Sequence, residues 1–480
     1  MSKSKNISTI CAVVAGIAAV GIILFINPIN KGTGMNMSNT NNISKDAIIN
    51  SSLPIPALLE DKNPDPKVDD FTLEPQQGEV SFIKGTETKT TGYNGNFLGP
   101  VIRVNKGDEV NIHVNNKLSE PTTVHWHGLE LNGENDGGPD QAIQAGATWN
   151  PSFVINQQAA TLWYHPHFSG TTATQVYSGL AGLFYVDDEI SKNLNIPKEY
   201  GVNDIPLVIQ DRSFNKDGSF KYDTNMMDGA TGDTILVNGA IKPYLDVKRV
   251  KMRFRIVNGA NASNFNLKLD NGSAFYQIAS DGGFLESPIS QKSILLAPGE
   301  RAEIIIDFSK YDKGTKVSLM SDKTEILNFN VKEDGNDTTE IPGVLTKINK
   351  IEKSQATKVR NFDLQGMGNM VSINGQKFDM NRIDETVKQG DIEIWNITSE
   401  NSMMHNMGHP FHIHGVQFQI LSRDGKEPAT EEKGWKDTVY IEPNEKVSII
   451  VRFNNKGTFM YHCHILEHEE AGMMGQIKVE

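Results

Sequence analysis

The sequence predicts an all-β protein in which three β-sandwich domains follow one another along the chain. Short segments alternate apolar and polar residues between Gly or Asn turns, which is the pattern of half-buried strands. Long amphipathic helical patterns are scarce, and related segments recur three times at a period too long for a solenoid. A length of 480 residues also fits three domains at the usual size of roughly 150 residues each.

The N-terminal segment has the pattern of a targeting signal. Lys3 and Lys5 precede the uncharged apolar run "ISTICAVVAGIAAVGIILFI", residues 7–26, and its length is close to the ~20 residues that span a bilayer. Positive residues before such a run place the start of the chain inside and the rest outside. Residues 1–28 are therefore predicted to form an uncleaved anchor or a cleaved signal, because no clear cleavage site decides between them.

This segment predicts that the protein works outside the cytoplasm, membrane-anchored or secreted. The sequence has no twin-arginine pair. We therefore expect export of an unfolded chain and metal loading outside, which a metal-loaded precursor trapped in the cytoplasm would contradict.

The next segment and the overall charge complete the outline of the chain. Residues 29–68 are rich in Asn, Ser and Pro and lack an apolar period, which predicts a flexible linker. The three domains are placed at residues 69–200, 201–345 and 346–480.

The net charge is −13 and no basic block is present, which argues against nucleic acid as a partner. A monomer is expected.

One β unit recurs in all three domains. The phrase "GPVIRVNKGDEVNIHVNN" of domain 1 has counterparts in "PYLDVKRVKMRFRIVNGAN" and "ETVKQGDIEIWNITSEN". A second phrase, "APGERAEIIIDFS" of domain 2, matches "EPNEKVSIIVRFNN" of domain 3, and domain 1 has a looser version. In the first copy, the alternation predicts that Val110, Ile112 and Val114 face a core, whereas the residues between them face solvent.

A third phrase carries histidines in the outer domains only. Domain 1 has "ATLWYHPHFSG" and domain 3 has "GTFMYHCHILEH", whereas domain 2 has "GTKVSLMSDKTE" at that place. We interpret this as a duplicated fold that keeps metal ligands at both ends and has lost them in the middle.

The histidines are clustered far beyond a random distribution. Ten of the twelve fall in four groups, and only His113 and His405 lie elsewhere. Residues i and i+2 of a strand point to the same face, about 6.5 Å apart, so a His-x-His pair offers two imidazoles to one side. Four such pairs supply eight imidazoles, too many for one ion. The grouped residues are His125 and His127; His165 and His167; His409, His412 and His414; and His462, His464 and His468.

Cys463 lies between two of these histidines and has no obvious disulfide partner, because the other cysteine, Cys11, is in the N-terminal apolar run. If His462 and His464 face the imidazole cluster, Cys463 faces away, toward a different metal. His468, Met473 and His409 can complete a set of two imidazoles, one thiolate and one thioether. That set is typical of blue copper. Zinc also binds Cys and His, but it has no use for an axial methionine.

These motifs resemble the multicopper oxidases, most closely the bacterial copper-efflux (cuprous) oxidases and the bacterial laccase-like oxidases. The resemblance covers residues 71–480 and implies three tandem cupredoxin-like Greek-key domains that hold four copper ions. By position, His409, Cys463, His468 and Met473 match the type 1 ligands, and His125 and His412 match the type 2 ligands. The type 3 pair is matched by His127, His165 and His464 on one ion and by His167, His414 and His462 on the other.

The resemblance also implies a mechanism. Electrons from a donor enter at the type 1 copper, pass through Cys463 to the other three ions, and reduce dioxygen to water. Asp136 and Glu469 match acidic positions that the family uses near the cluster to supply protons. Glu130 is a weaker candidate for a residue that supports the ligands.

The donor is predicted from methionines. Met403, Met404 and Met407 directly precede His409, and thioethers suit Cu(I). A second group, Met367, Met370 and Asp363, lies early in domain 3. We therefore predict oxidation of Cu(I), as in copper detoxification.

Other functions stay open from the sequence alone. The methionine- and histidine-rich insert of well-known cuprous oxidases is absent, and an acid expected shortly before His409 is replaced at His405 or nearby. The alternatives are oxidation of phenols and aromatic amines, ferroxidase activity, and copper carriage or storage without turnover.

Overall fold

The computed structural model describes residues 46–223, 227–400 and 407–480. In these ranges the chain forms three successive cupredoxin-like β-sandwiches, so the predicted all-β fold is confirmed. The predicted anchor or signal, residues 1–28, lies outside the described ranges. Within them, no helix has the length and apolar character needed to cross a membrane.

The first domain is built from ten strands and two short helices, α1 and α2. One sheet has the order β1-β5-β7, with β8 also paired to β5, and the other has the order β4-β10-β9-β6; β2 and β3 form a separate hairpin. The elements are β1 (Val68–Leu73), β2 (Pro75–Val80), β3 (Thr88–Tyr93), β4 (Ile102–Asn105), β5 (Glu109–Asn115), β6 (His125–His127), β7 (Thr148–Trp149), β8 (Ser152–Val154), β9 (Ala160–His165), α1 (Thr172–Ser178), β10 (Gly182–Asp187) and α2 (Glu189–Asn193).

The second domain pairs a sheet of order β13-β12-β11-β15-β20-β17-β18 with one of order β14-β22-β21-β16-β19. Its strands are β11 (Asp204–Arg212), β12 (Thr234–Val237), β13 (Ala240–Ile241), β14 (Tyr244–Arg249), β15 (Lys251–Asn258), β16 (Phe265–Leu269), β17 (Phe275–Ser280), β18 (Gly283–Gln291), β19 (Ser293–Leu296), β20 (Arg301–Asp307), β21 (Lys316–Ser321) and β22 (Thr324–Asp334).

The third domain has two five-stranded sheets, of order β24-β23-β26-β30-β28 and β25-β32-β31-β27-β29. Its elements are β23 (Lys358–Gln365), β24 (Ser372–Ile373), β25 (Glu385–Val387), β26 (Ile392–Glu400), β27 (His409–Ile413), β28 (Phe418–Arg423), β29 (Thr438–Ile441), β30 (Lys446–Arg452), β31 (Gly457–Cys463), α3 (Leu466–Glu470) and β32 (Met474–Val479). The described chain also has short 3₁₀ turns at Gly133–Asn135, Phe308–Lys310, Lys353–Gln355, Gly368–Met370 and Thr430–Glu432.

The three sandwiches share one topology, as the sequence repeats predict. Each opens with a strand parallel to the one that carries the repeated phrase, β1 with β5, β11 with β15 and β23 with β26. The second sheet of each also contains one parallel pair, β4 with β10, β14 with β22 and β25 with β32. Each domain buries its own apolar cluster.

The alternation in β5 works as predicted. Val110, Ile112 and Val114 are fully buried in the core of domain 1, and the residues between them are only half-buried. Burying alternate β-branched side chains against the facing sheet fixes the register, because a slip of one residue would turn this whole set toward solvent.

The segment before the first domain differs from the flexible linker that the sequence predicts. Residues 46–67 lie along the domains: Ala47 bridges to Ile83, and Ser52 bridges to Tyr244. Leu53 is buried in the core of domain 2. The linker prediction is therefore wrong for these residues, because scattered apolar side chains can anchor a segment that has no period of its own. Residues 29–45 are outside the described ranges.

Candidate metal centre

Two neighbouring strands of domain 1 present the first four histidines. In the antiparallel pair β6 and β9, His125 lies opposite His165. His127 is two residues further along β6, so it points to the same face as His125. His167 follows β9 in a loop that is held by a hydrogen bond of 2.6 Å from its N–H to Thr123 Oγ1.

Domain 3 repeats this arrangement on β27 and β31. His412 lies opposite His462, and Phe411 lies opposite Cys463. His414 and His464 directly follow the two strands, each two residues beyond its partner histidine. The duplicated fold therefore offers the same pair of His-x-His edges from both outer domains.

The two edges meet in one buried cluster between domains 1 and 3. All eight imidazoles are buried. Rings from opposite domains stack at 3.7 Å between centroids, His125 on His414 and His127 on His412. Ring nitrogens approach in two groups: His127 Nδ1 to His165 Nε2 at 3.4 Å and to His464 Nε2 at 3.3 Å, and His462 Nε2 to His167 Nε2 at 3.2 Å and to His414 Nε2 at 3.0 Å.

The unsatisfied ring atoms indicate that these residues fit metal ions. His125 Nε2 and His412 Nε2 are buried without a hydrogen-bond partner, an arrangement that is unfavourable unless a further group binds them. Burial, and then the neighbouring imidazoles, lower the pKa of His125 well below its ordinary value, and burial lowers the pKa of His167 to about 3. The rings are therefore neutral near pH 7, which is the form that binds a metal.

A second set of ligands surrounds Cys463. Its Sγ lies 3.5 Å from His409 Nδ1 and 3.9 Å from His468 Nδ1, and all three side chains are buried. The Ile465 N–H points at the sulfur from 3.4 Å. Met473 is fully buried in the same apolar cluster as Cys463, and its carbonyl accepts a hydrogen bond from the Cys463 N–H at 3.0 Å.

Adjacent residues at the end of β31 thus face two different groups of possible metal ligands. His462 and His464 face the imidazole cluster, with 5.6 Å between their ring centroids, whereas Cys463 faces His409 and His468. Burial raises the pKa of the Cys463 thiol. A metal that binds there must therefore displace the thiol proton, and the polarisable thiolate favours copper over a hard cation.

Two predicted acids touch the imidazole cluster. Asp136 accepts a hydrogen bond from His414 Nδ1 at 2.7 Å, and its backbone carbonyl accepts one from His125 Nδ1 at 2.9 Å. Glu469 has its carboxylate oxygens 3.2 Å from His462 Nδ1 and 3.5 Å from His167 Nδ1. Burial, and then Glu470, raise the pKa of Glu469 well above its ordinary value, so its carboxyl can hold a proton near pH 7.

A cavity beside Glu469 connects it to polar groups further out. The cavity has a volume of about 180 Å³, and its lining includes His167, Glu469, Glu470 and Lys377. Burial raises the pKa of Glu470 to about 7. Glu470 can therefore gain and lose a proton near neutrality, next to the acid that faces the cluster.

Two important residues were missed by sequence analysis. Asp437 Oδ1 lies 3.0 Å from His127 Nε2, and the Asp437 carbonyl accepts a hydrogen bond from His412 Nδ1 at 2.8 Å. Arg301 of domain 2 holds this carboxylate with two hydrogen bonds, of 2.6 and 2.5 Å. Burial alone would raise the pKa of Asp437, but Arg301 lowers it to about 2. Neither residue belongs to a His-x-His motif, although Asp437 is in the third-domain phrase "KDTV".

Two side chains from the sequence analysis do not contact the clusters. His113, a histidine outside the four groups, lies on β5 and contacts Asn150 and Asp70. For Glu130, burial raises the pKa to about 7, and its N–H donates to Gln157. Among the described residues, its carboxyl makes no hydrogen bond or ion pair with a cluster histidine, so a role in supporting the ligands gains no support.

The predicted donor residues are only partly described. Met403, Met404 and His405 lie outside the described residues, and the Met407 carbonyl accepts a hydrogen bond from Ser399. Met367 directly precedes the 3₁₀ turn Gly368–Met370 beside α3, and Met370 ends that turn, whereas Asp363 is bound to Thr398 on the neighbouring strand. The structure adds Met227 of domain 2, whose carbonyl accepts from His468 Nε2–H at 3.2 Å and from the Gly368 N–H at 2.8 Å.

Three cupredoxin-like sandwiches, a buried cluster of imidazoles between the outer two, and a thiolate–imidazole site joined to it through one strand define a copper-dependent oxidoreductase. Family profiles described as "Multicopper oxidase" match residues 74–191, 192–338 and 347–480. The chain belongs to the multicopper oxidase family, whose members are oxidoreductases that use dioxygen.

Sequence relatives cover nearly all of the chain. "Multicopper oxidase mco" of Staphylococcus haemolyticus is 47% identical over 456 residues, which are 94% of this chain and 98% of that protein. "Cell division protein FtsP" of Escherichia coli is 36% identical over 446 residues, which are 89% of this chain and 92% of that protein.

Solved structures agree with the fold. A laccase from Pediococcus acidilactici superimposes with a TM-score of 0.87 at 38% identity, covering 91% of this chain and 95% of that one. A laccase-like multi-copper oxidase, CueO, from Ochrobactrum sp. superimposes with a TM-score of 0.82 at 37% identity, covering 89% of this chain and all 100% of that one.

Proposed function

We propose that the protein holds four copper ions and oxidises Cu(I) while reducing dioxygen to water. The observation that carries this proposal is the arrangement at the end of β31. Cys463 faces one group of ligands there, whereas its direct neighbours His462 and His464 belong to the eight-imidazole cluster, so one peptide unit on each side of Cys463 links the two sites. Bound copper would supply the one-electron steps and the reduction of dioxygen. The protein supplies the ligands, their orientation, a buried environment and protons.

Each copper is assigned to side chains that the structure brings together. His409, Cys463, His468 and Met473 would hold the type 1 ion. The unpartnered Nε2 atoms of His125 and His412 would hold the type 2 ion. The type 3 ions would be held by His127, His165 and His464, and by His167, His414 and His462, the two groups whose ring nitrogens lie within 3.4 Å of a shared member.

Copper counting on single-histidine variants tests this assignment. Metal analysis of the purified, copper-loaded protein is expected to give four ions, and His412→Ala should lose the type 2 electron paramagnetic resonance signal because half of its ligands are gone. His113→Ala, which removes a histidine outside the clusters, should keep all four ions. A wild-type protein that saturates with one ion, or equal copper loss in both variants, would contradict the assignment.

Cu(I) as the donor is supported by the surface above His468. The His468 ring is buried, and its Nε2–H is bound to the Met227 carbonyl, so a large organic donor has no direct access to it. Met227 is 42% exposed, and Met370, which ends the 3₁₀ turn whose Gly368 N–H also binds the Met227 carbonyl, is 70% exposed. Exposed thioethers next to a buried ligand can bind a soft monovalent ion without admitting a bulky one.

Oxidation of phenols is the second candidate. One structural neighbour is named a laccase, and the CueO neighbour from Ochrobactrum sp. is described as having oxidase activity towards lignin model compounds. A type 1 centre can accept electrons from an organic molecule as well as from a metal ion. The two candidates differ in whether the methionine side chains beside His468 are needed.

Donor kinetics on methionine variants separate the candidates. We expect Met227→Leu and Met370→Leu to lower kcat/KM for Cu(I) by about tenfold, the equivalent of ~1.4 kcal/mol, and to leave phenol oxidation unchanged. Leucine keeps the volume and removes the sulfur. Met320→Leu, in β21 of domain 2, is the matched control. Measuring Cu(I), Fe(II) and a phenol side by side decides the matter: a parallel fall with all three donors, or no fall with Cu(I), would contradict the proposed Cu(I) site.

A further inference from the structure

We propose that Arg301 of the second domain is a positioning residue for the copper cluster, acting through Asp437. This inference rests on the copper assignment above. Domain 2 contributes no histidine to the cluster, yet its strand β20 begins with an arginine that reaches between the two domains that do. Arg301 is 1% exposed and Asp437 is fully buried.

Every donor of the Arg301 side chain is used. Its two hydrogen bonds to the Asp437 carboxylate are the paired contacts that suit the flat guanidinium group. The remaining N–H groups donate to the carbonyls of Thr161 at 3.2 Å, Gly299 at 3.0 Å and Asp281 at 3.1 Å. Thr161 belongs to domain 1, Gly299 and Asp281 belong to domain 2, and Asp437 belongs to domain 3, so one side chain with five donors joins all three domains.

Asp437, held in this position, fixes the orientation of two histidines of the cluster. Its Oδ1 lies 3.0 Å from His127 Nε2, and the other ring nitrogen of His127 faces His165 and His464. The carboxylate therefore selects the tautomer whose Nδ1 is free for a metal. The Asp437 carbonyl binds His412 Nδ1 in the same way, which leaves the unpartnered Nε2 of His412 for the type 2 ion.

Neighbouring groups make the position of Asp437 rigid. Thr438 Oγ1 lies 3.2 Å from both His127 Nε2 and His412 Nδ1, and Gln417 Nε2 donates to Asp437 Oδ2 at 2.8 Å. The turn before Arg301 packs under the cluster: at Gly299, where φ is +84°, an added Cβ would come within 2.9 Å of His464 Cδ2. Domain 2 thus packs against the cluster as well, in addition to domains 1 and 3, which supply its histidines.

The charge of Arg301 by itself would oppose metal binding, because a buried cation close to the ligands repels copper. Its pairing with Asp437 removes that repulsion and leaves an oriented hydrogen-bond acceptor. Two kinds of change therefore have different consequences. Arg301→Gln removes two of the hydrogen bonds that hold the carboxylate, whereas Asp437→Asn keeps the shape but removes the acceptor charge and leaves the arginine with Asp281, 3.8 Å from its Nη1, as an ionic partner.

The test compares copper binding in Arg301→Gln, Arg301→Lys and Asp437→Asn. We expect the affinity for type 2 copper to fall by about 10–100-fold, the usual effect of removing a partner of a metal ligand, with the type 2 spectrum altered and the type 1 absorption unchanged. Lysine keeps the charge but lacks the paired geometry, so it should not restore the spectrum fully. Asp437→Asn should show the largest loss.

Arg255→Gln is the matched control, because Arg255 is a buried domain 2 arginine that pairs with Asp204 and contacts Thr161 of domain 1 without touching a cluster ligand. Should Arg301→Gln fail to fold, the near-isosteric Asp437→Asn decides. An unaltered type 2 spectrum in a folded variant, or the same loss in Arg255→Gln, would overturn the inference. A wild-type protein without type 2 copper would instead refute the copper assignment.

Discussion

Replacing Cys463 with serine is expected to abolish the blue colour of the copper-loaded protein and to lower turnover with every donor by more than about 100-fold. Loss of residues that merely support metal ligands already lowers activity by about 10–100-fold, and Cys463 is the proposed ligand of one centre and the proposed covalent link to the other. A serine hydroxyl keeps the shape of the strand but cannot replace the polarisable thiolate that binds copper. Cys463 is fully buried, so no second thiol can reach the site from solvent.

This result is measured by absorption spectroscopy and dioxygen uptake on the same preparation. The imidazole cluster of the variant should still bind copper, because His462 and His464 keep their places on the backbone. Cys11→Ser, which changes the other cysteine of the chain, is the matched control and should keep both colour and turnover. Blue absorption or normal dioxygen uptake in Cys463→Ser would remove the basis of the proposed electron path.

The fold could be predicted because its signals are local. Strand alternation depends on residues only two positions apart, and the thrice-repeated phrase is visible in the sequence itself. The burial of Val110, Ile112 and Val114 follows directly from the alternation. The same holds for the proposed copper ligands. A His-x-His pair points to one face in any strand, so the sequence alone indicated that His462 and His464 separate from Cys463.

The support around the ligands could not be predicted because it depends on long-range packing. Arg301 and Asp437 are 136 residues apart, and Asp437 is 310 residues from His127. No spacing rule links an arginine at the start of a strand in one domain to a carboxylate in the next. Met227 was missed for a similar reason: its carbonyl meets His468 across 241 residues.

The predicted linker is a different case, because here the sequence predicted a free segment and the structure places part of it against the domains. Polar composition predicted a free segment at residues 29–68, but the part from residue 46 onward follows the surface of the domains through isolated bridges and one buried leucine, Leu53. A few anchoring contacts, widely spaced along the chain, leave no periodic signal. Composition therefore describes how a segment would behave alone, and not what it meets in the folded protein.

Replacing Glu469 with glutamine should slow turnover by about 10²-fold or more, the usual contribution of a positioned proton donor. The Glu469 carboxyl can hold a proton near pH 7, because burial and Glu470 raise its pKa, and it lies within 3.5 Å of ring nitrogens of His167 and His462. The adjoining cavity and Glu470 can replace that proton from solvent. Glutamine keeps the size of the side chain but cannot give up a proton at this pH.

The variant should separate electron entry from dioxygen reduction. Bleaching of the blue colour by a donor under anaerobic conditions should proceed at the wild-type rate, because the surroundings of Cys463 are unchanged, whereas dioxygen uptake and the return of colour on aeration should be slow. Glu467→Gln is the matched control on the same helix, since Glu467 binds Asn261 and Tyr222 and touches no cluster histidine. Equal dioxygen uptake in the two variants would show that protons reach the cluster by another route. Asp136, which hydrogen-bonds His414, would be the next candidate, because Arg301 keeps Asp437, the other acid in contact with the cluster in the described chain, in its ionised form.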